Sequence, residues 1–297
     1  MQIRQLEYFV ALCETLNFTR TANAFFVSQT AVTQQIKSLE TELGTPLFVR
    51  TKRRVELTAA GRLLLEDARS ILSDVRNAKR RIRALSGEVS GTLNVGFLRA
   101  YEHEGFAHAL RAFRQIQPGV SISLHPDSIP ALNQRLRQGT LDLIFAHKSP
   151  NSDEFSSIEI KQYPLMAVIP HGHPLSGHAY IHPHDLKDIP IIDRHHSSDD
   201  QAHITAFSHF FSSAGFMPNV VYISDDLDSS LLAVASGLGI ALVPSYVAEH
   251  ISDPTLLDAR PIVGYEKEIT VAAFWKPENI SPLISSFLDI ALLYLNR

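Results

Sequence analysis

The 297-residue sequence predicts an α/β protein in which a basic, helix-rich leading segment and a long helix precede an acidic body of alternating strands and helices. Three observations carry this prediction. Charge is unevenly divided: residues 1–90 hold 14 Lys and Arg against 9 Asp and Glu, a net of +5, whereas residues 91–297 hold 13 against 22, a net of −9, together with all 14 histidines. Seven apolar residues beyond Thr58 recur at steps of four and three. From residue 91 onward, apolar runs of strand length alternate with amphipathic segments of helix length. At 45% hydrophobic and 20% charged the chain can bury real cores, and its 14 Gly, 16 Pro and single cysteine exclude a disordered, collagen-like or disulfide-stapled protein.

The opening stretch MQIRQLEYFVALCETLNFTR carries Arg4, Glu7 and Glu14 inside its apolar pattern and has no uninterrupted secretory core, so a cytoplasmic location is expected. The 20 uncharged residues from Ser229 to Ala248 are long enough to raise the question of a membrane span. Ser236, Gly237, Gly239, Pro244 and Ser245 break them into a short helix, a turn and a buried strand, and no membrane partner is expected. Cys13 suits a reducing compartment and reads as a small buried hydrophobe rather than a redox sensor.

Ile3, Leu6, Phe9, Val10, Cys13 and Leu16 recur at three- and four-residue steps, giving a first helix that stops at Asn17. Thr19 is then expected to cap a short helix, TRTANAFF, in which Ala22 lets another helix cross closely, and Val27 with Ser28 makes the turn. Ser28 caps a third helix that buries Ala31, Val32, Ile36, Leu39 and Leu43 and projects Gln29, Thr30, Thr33, Gln34 and Lys37. Gln can pair with an adenine edge and Thr can reach a base edge or a thymine methyl, as the second helix of a helix-turn-helix does in the major groove. An ordinary solvated helix face shows the same pattern, and the segment after Gly44 favours the groove reading. There TPLFVRTKRRVELTAAG forms two short extended pieces around a basic tip of Arg50, Lys52, Arg53 and Arg54, a wing able to hold phosphates, with Thr19 and Arg20 flanking.

The run FTRTANAFFVSQTAVTQQIKSLETELGTPLFVRTKRRVELTAAG resembles the N-terminal signature of the LysR-type transcriptional regulators, particularly at SQTAV, IKSLE and GTPLF. Thr30 and Gln34 stand where that family often has proline or serine and arginine, and Phe25 and Phe26 replace the usual leucine and a polar residue. The resemblance implies a winged helix-turn-helix head in residues 1–58, with the helix-turn-helix at about 18–37, a linker and dimerisation helix in 59–90, and an effector-binding domain in 91–297. It further implies that this domain is two-lobed, similar to periplasmic solute-binding proteins, with PHGHPLS and VASGLGIALVP as landmarks. Lobe one would take about 92–162 and 267–297, and lobe two about 163–266. The partners implied are double-stranded DNA with two-fold related half-sites, a small-molecule effector, further copies of the chain as a homodimer or homotetramer, and RNA polymerase if the protein activates.

From Thr58 to about Ser86 the chain reads as one helix of roughly 40 Å with Leu64, Ala68, Ile71, Val75, Ala78, Ile82 and Leu85 on a heptad seam. Such a seam asks for a second helix of the same kind. A helix packed only on its own domain is the alternative, against which the surrounding Arg76, Lys79, Arg80, Arg81 and Arg83 argue for an exposed two-chain rod.

In the acidic body, strands are expected at TLNVGF, VSISLHP, LDLIFAH, PLMAVIP, IPIID, NVVYIS, GIALVP and EITVAAFW. Helices are expected near 102–116, 129–138, 199–214, 228–236 and 281–295. Alternation of this kind predicts mostly parallel sheets with a ligand at the carboxyl ends of the strands. Leu98, Arg99, Ala100 and Tyr101 follow the first strand, Ser128 precedes a helix, and Ser197 and Ser198 lie at a capping box closed by Gln201. Helix N-termini favour anions, so a small carboxylate held with Arg99 is the expected effector, and His147 adds a hydrogen bond near the hinge. Each position alone also reads as an ordinary cap or surface residue.

Two other readings compete. His171, His173, His182, His184, His195 and His196 invite a metal-responsive regulator, although no cysteine or H-E-x-x-H helix accompanies them. A cytoplasmic α/β enzyme finds little support. No G-x-S-x-G elbow or phosphate loop occurs, Gly237-Leu238-Gly239 lacks a third glycine, and acidic pairs such as Asp225 with Asp226 or Glu102 with Glu104 fall where loops and helix starts attract acids anyway. A solute-binding protein without regulation would lack the basic head and the rod. No catalytic residue, metal site or cofactor is therefore expected.

The sequence separates two roles that mutation can test. Gln29→Ala is expected to cost about 1–3 kcal/mol and relax preference at one base pair, whereas Arg53→Ala weakens all sequences alike and lowers the salt slope by about one. Binding titrations against operator variants at several salt concentrations distinguish the two.

Overall fold

The computed structural model describes residues 1–51, 54–85, 91–99, 101, 104–148, 154–194, 208–224, 226–249, 251, 253, 255–265 and 268–295. The chain divides into two compact units, Met1–Ser90 with Arg135–Leu141, and Gly91–Gln134 with Asp142–Arg297.

In the first unit, helices α1 (Ile3–Thr15), α2 (Phe18–Ala24) and α3 (Gln29–Leu43) enclose a core of Leu6, Phe9, Leu12, Ala22, Val32, Ile36 and Leu39. Ala22 is buried where α2 meets the core, as its small size suggested. The cap of α2 differs from expectation. Asn17 accepts the Arg20 N–H at 3.0 Å, so the helix starts earlier and Thr19 becomes its second residue, its hydroxyl free to donate to Gln29 Oε1 at 3.3 Å. Ser28 does cap α3, accepting from Ala31 N–H at 3.1 Å. Leu43, expected in the buried stripe, is 41% exposed because α3 ends there on Gly44, whose φ of +68° closes the helix.

The wing is an antiparallel pair, β1 (Phe48–Arg50) and β2 (Val55–Leu57), with Phe48 opposite Leu57 and Arg50 opposite Val55. Helix α4 (Ala59–Leu85) follows directly; Thr58 hydroxyl accepts the Gly61 N–H at 2.9 Å. The heptad stripe does not all face outward. Ala68 is fully buried in the head core together with Leu72, and Leu64 and Ile71 pack against the same core, since α1 lies along the first turns of α4. Glu14 and Arg69 bridge those two helices at 3.6 Å. Further along, Val75 and Ala78 are half-buried and Ile82 is 67% exposed, while the Leu85 side chain lies outside the described residues. Leu63, off the stripe, is 70% exposed.

Ser73 and Asn77 of α4 are buried polar residues, and Ser73 donates to the Gly139 carbonyl at 2.7 Å. Gly139 has a φ of +64°, and a Cβ there would lie 2.1 Å from Ser73 Oγ. Only glycine satisfies both constraints.

The second unit holds two five-stranded sheets among its described residues. The first contains β3 (Gly91–Leu98), β4 (Val120–Asp127), β5 (Leu143–His147), β6 (Ser156–Tyr163) and β12 (Ile269–Trp275), in the order β4-β3-β5-β12-β6. The second contains β7 (Leu165–Pro170), β8 (Pro190–Arg194), β9 (Asn219–Ser224), β10 (Ile240–Pro244) and β11 (Leu257–Pro261), in the order β11-β7-β10-β8-β9. The helices are α5 (Glu104–Ile116), α6 (Ile129–Arg137), α7 (Ser208–Ser213), α8 (Leu227–Ala235), α9 (Ser245–Ala248) and α10 (Pro282–Leu295). Each sheet defines one lobe.

The expectation of mostly parallel sheets holds for strand direction but not for pairing. In each lobe four strands run one way and a fifth, β12 in the first and β7 in the second, runs against them, so two of the four pairings are parallel and two antiparallel. The reason is connectivity: β6 passes into β7 through Pro164 with no crossover helix, and β12 inserts between β5 and β6 after the second lobe is complete. Strands β6 and β11 had no counterpart in the sequence reading. SSIEIKQY interleaves polar and charged residues on an edge strand, and LDARP is short and half-exposed. Of the helix expected near 199–214, the described residues hold only α7.

Gly139→Ala is expected to destabilise the first unit by about 2 kcal/mol, read as a lowered thermal unfolding midpoint of the full chain. Pairing it with Ser73→Ala removes the nearest clash, with Oγ, but leaves the residue-73 Cβ 2.5 Å from the new methyl, so only a small part of the loss is recovered.

Candidate nucleic-acid interface and effector site

The polar face of α3 is open. Gln29, Thr30, Gln34 and Lys37 are exposed, and Thr33 is half-exposed with its hydroxyl donating to the Gln29 carbonyl at 2.9 Å. Thr19 and Arg20 are exposed on α2, and the Thr19 hydroxyl bond to Gln29 Oε1 ties the N-termini of the two helices together through side chains that can face bases. Ser28 is exposed but engaged as a cap. Among the wing cations, Arg54 is exposed and bridges Glu56 at 2.9 Å, while Lys52 and Arg53 lie outside the described residues.

Arg50 is placed differently from the phosphate-binding tip the sequence suggested. Its guanidinium lies 4.8 Å from the centre of the Phe18 ring and bridges Glu40 at 2.8 Å. Glu40 is the organiser of this corner, and sequence reading missed it. One oxygen accepts the Leu47 and Phe48 N–H groups at 2.9 and 3.2 Å while the other holds Arg50. The acidic residue ending IKSLE, on the flank of an otherwise amphipathic helix, was the available signal.

In the second unit, β3 ends with Leu98 buried and Arg99 exposed. Ala100, Ser197 and Ser198 lie outside the described residues. Tyr101 is not a ligand-facing donor. It is fully buried, its ring 5.2 Å from that of Tyr246 and 6.2 Å from that of Tyr163, and its hydroxyl 3.4 Å from the Tyr163 hydroxyl. Burial and the neighbouring Tyr163 push its phenol well above the usual tyrosine range, so it stays neutral. His147 meets the same cluster: its Nε2 lies 2.9 Å from the Tyr246 hydroxyl. Because Tyr246 belongs to the second lobe and His147 and Tyr101 to the first, this aromatic cluster is the seam of the hinge.

Ser128 is exposed at the start of α6, with its own N–H bonded to Asp127 Oδ1 at 2.9 Å and its carbonyl accepting from Leu132. On the second lobe, Asp226 caps α8 by accepting the Ser229 N–H at 2.7 Å. The Ser229 backbone and hydroxyl hold this carboxyl below the ordinary aspartate range, and Arg99 adds its field. Asp226 serves α8 as its N-terminal cap. Two of the histidines pair with carboxylates, His171 with Asp258 at 3.0 Å and His184 with Asp185 at 3.2 Å, while His195 and His196 lie outside the described residues. Among the described residues no group of three potential metal ligands forms, and no helix is long and apolar enough to cross a membrane.

Residues 3–62 match the bacterial regulatory helix-turn-helix protein, lysR family, and residues 86–294 match the LysR substrate binding domain. The chain belongs to the LysR family. It is 32% identical to the Hca operon transcriptional activator HcaR of Escherichia coli (strain K12) over 292 residues, 98% of this chain and 97% of that one. Its fold is similar to the crystal structure of CbnR, a LysR family transcriptional regulator, with a TM-score of 0.75, 26% identity and full coverage of both chains. It is also similar to full-length CbnR complexed with its target DNA, with a TM-score of 0.73 and 26% identity over 98% of this chain and 99% of that one. As a LysR-family member the chain is a DNA-binding transcriptional regulator with an effector-binding domain, and the family is one of regulators rather than enzymes.

Glu40→Ala leaves two backbone donors and an arginine without their acceptor and is expected to lower head stability by about 2 kcal/mol. Glu40→Gln, which keeps one acceptor, loses less; chemical denaturation of the two variants checks the order.

Proposed function

We propose that this regulator acts as a homodimer or homotetramer in the cytoplasm, without a cofactor. In this reading Gln29, Thr30, Thr33 and Gln34 read bases, and Thr19, Arg20, Ser28, Lys37, Lys52, Arg53 and Arg54 position the duplex backbone. Paired heads meet half-sites related by two-fold symmetry, about one helical turn or a multiple apart. The observation that carries this is the open polar face of α3, whose buried stripe is satisfied by the head's own core while its glutamines and threonines have no packing task. Pairing of chains rests on the outer part of α4, where Val75, Ala78 and Ile82 lie beyond the head core. If the protein activates transcription, RNA polymerase is the further partner.

The effector is a small carboxylate metabolite held between the lobes. Arg99 supplies the charge, exposed just beyond the carboxyl end of β3. Ser128, with Ala100, Ser197 and Ser198, completes the rim, while Tyr101 and His147 act through the hinge rather than on the ligand. The effector must bind one lobe arrangement more tightly than the other, and that difference biases the spacing of the heads.

Recovery of genomic fragments bound by the full chain tests the regulatory reading and, through neighbouring operons, names the metabolite. Arg99→Ala is then expected to weaken that carboxylate's binding at least tenfold, as loss of a charge-assisted bond implies. Unchanged affinity rejects the charge pairing, and an effector without a carboxylate rejects the class.

A further inference from the structure

The turn between α2 and α3 contains a residue that folding does not explain. Phe26 is 97% exposed, more than any other large apolar side chain among the described residues, and its φ is +53°. That conformation is imposed by the turn: the Phe26 N–H bonds to the Asn23 carbonyl at 3.2 Å, and the Val27 N–H reaches back to the Ala22 carbonyl at 3.0 Å. Left-handed backbone suits glycine or asparagine and is unfavourable for a bulky aromatic residue. The neighbouring Phe25 already does the packing, its ring edge-on to Tyr8 at 4.9 Å and beneath the Arg4 guanidinium at 5.6 Å. Phe26 therefore carries a backbone penalty and a solvent-exposed ring, and no contact among the described residues offsets either.

We infer that Phe26 is a DNA-contacting residue whose ring packs on the deoxyribose edge at the lip of the major groove. The inference rests on the DNA-binding role of α3. Phe26 lies two residues before the cap Ser28 and three before Gln29, so its side chain extends the α3 surface at the end that enters the groove. Deoxyribose presents an apolar C–H face beside each phosphate, and an aromatic ring covers it without a charge or a donor. The contact thus differs from the other two kinds at this interface. It reads no base, and it neutralises no phosphate, so it releases no counterions and leaves the salt slope unchanged. An exposed aromatic side chain in a strained turn is retained because its burial comes only with the duplex.

The test uses the full chain and duplexes selected by the wild-type protein from a random-sequence pool. Phe26→Gly removes the ring and suits the left-handed turn, whereas Phe26→Tyr keeps the ring. The glycine variant is expected to unfold at a higher temperature than wild type, yet bind about tenfold more weakly to selected and unrelated duplexes alike, with the wild-type salt slope. The tyrosine variant binds within about twofold of wild type. Wild-type affinity in the glycine variant overturns the inference, also if transcription by RNA polymerase then falls, since the ring would be meeting a protein. A changed salt slope overturns it too. Failure of the wild-type chain to select any duplex instead overturns the DNA-binding reading on which the inference rests.

Discussion

The head depends on one carboxylate. Glu40 sits about three turns along α3 from Gln29, towards the helix C-terminus, and accepts the Leu47 and Phe48 N–H groups at the start of the wing while pairing Arg50. Strands of three residues cannot hold a position by themselves, because so short a hairpin has almost no apolar face to bury. Fastening the wing to α3 through one side chain holds the short hairpin and the helix together. The Phe18 ring under Arg50 completes the joint by linking α2 to both.

The two lobes are organised by a different constraint, the burial of tyrosine hydroxyls at their hinge. Tyr101, Tyr163 and Tyr246 pack edge to face, the Tyr101 and Tyr163 hydroxyls meeting each other and the Tyr246 hydroxyl meeting His147. Buried hydroxyls that satisfy one another resist wide separation, because opening the cluster strands polar groups in an apolar setting. The cluster and the Pro164 crossing thus tie the two lobes together at one point.

Much of this was legible in the sequence. The order of elements followed from hydrophobic period and turn residues, and the head was readable from its buried stripe and from Ser28. What escaped reading was decided by tertiary geometry. Asn17 and Thr19 are both competent caps, and only the packing of α1 against α2 selects the former. The seam through Ala68 has a perfect heptad period, yet period does not say whose helix fills the groove, and here α1 fills part of it. Tyr101 looked like a rim residue because it follows a strand end, whereas its ring turns inward to join residues more than 60 positions away. Glu40 was invisible for the same reason: its partners lie seven to ten residues on, beyond a turn. Strand β6 was lost because an edge strand in a mixed sheet reads as polar alternation.

The lone cysteine has a practical corollary. Cys13 is partly buried against the head core, and desolvation pushes its thiol up to about 12, far above the range in which thiolates attack at neutral pH. The effector-binding part has no cysteine at all. The native chain is thus a nearly silent background for maleimide chemistry: one cysteine introduced on each lobe would give a labelled pair for distance measurements across the hinge without first replacing the native cysteine.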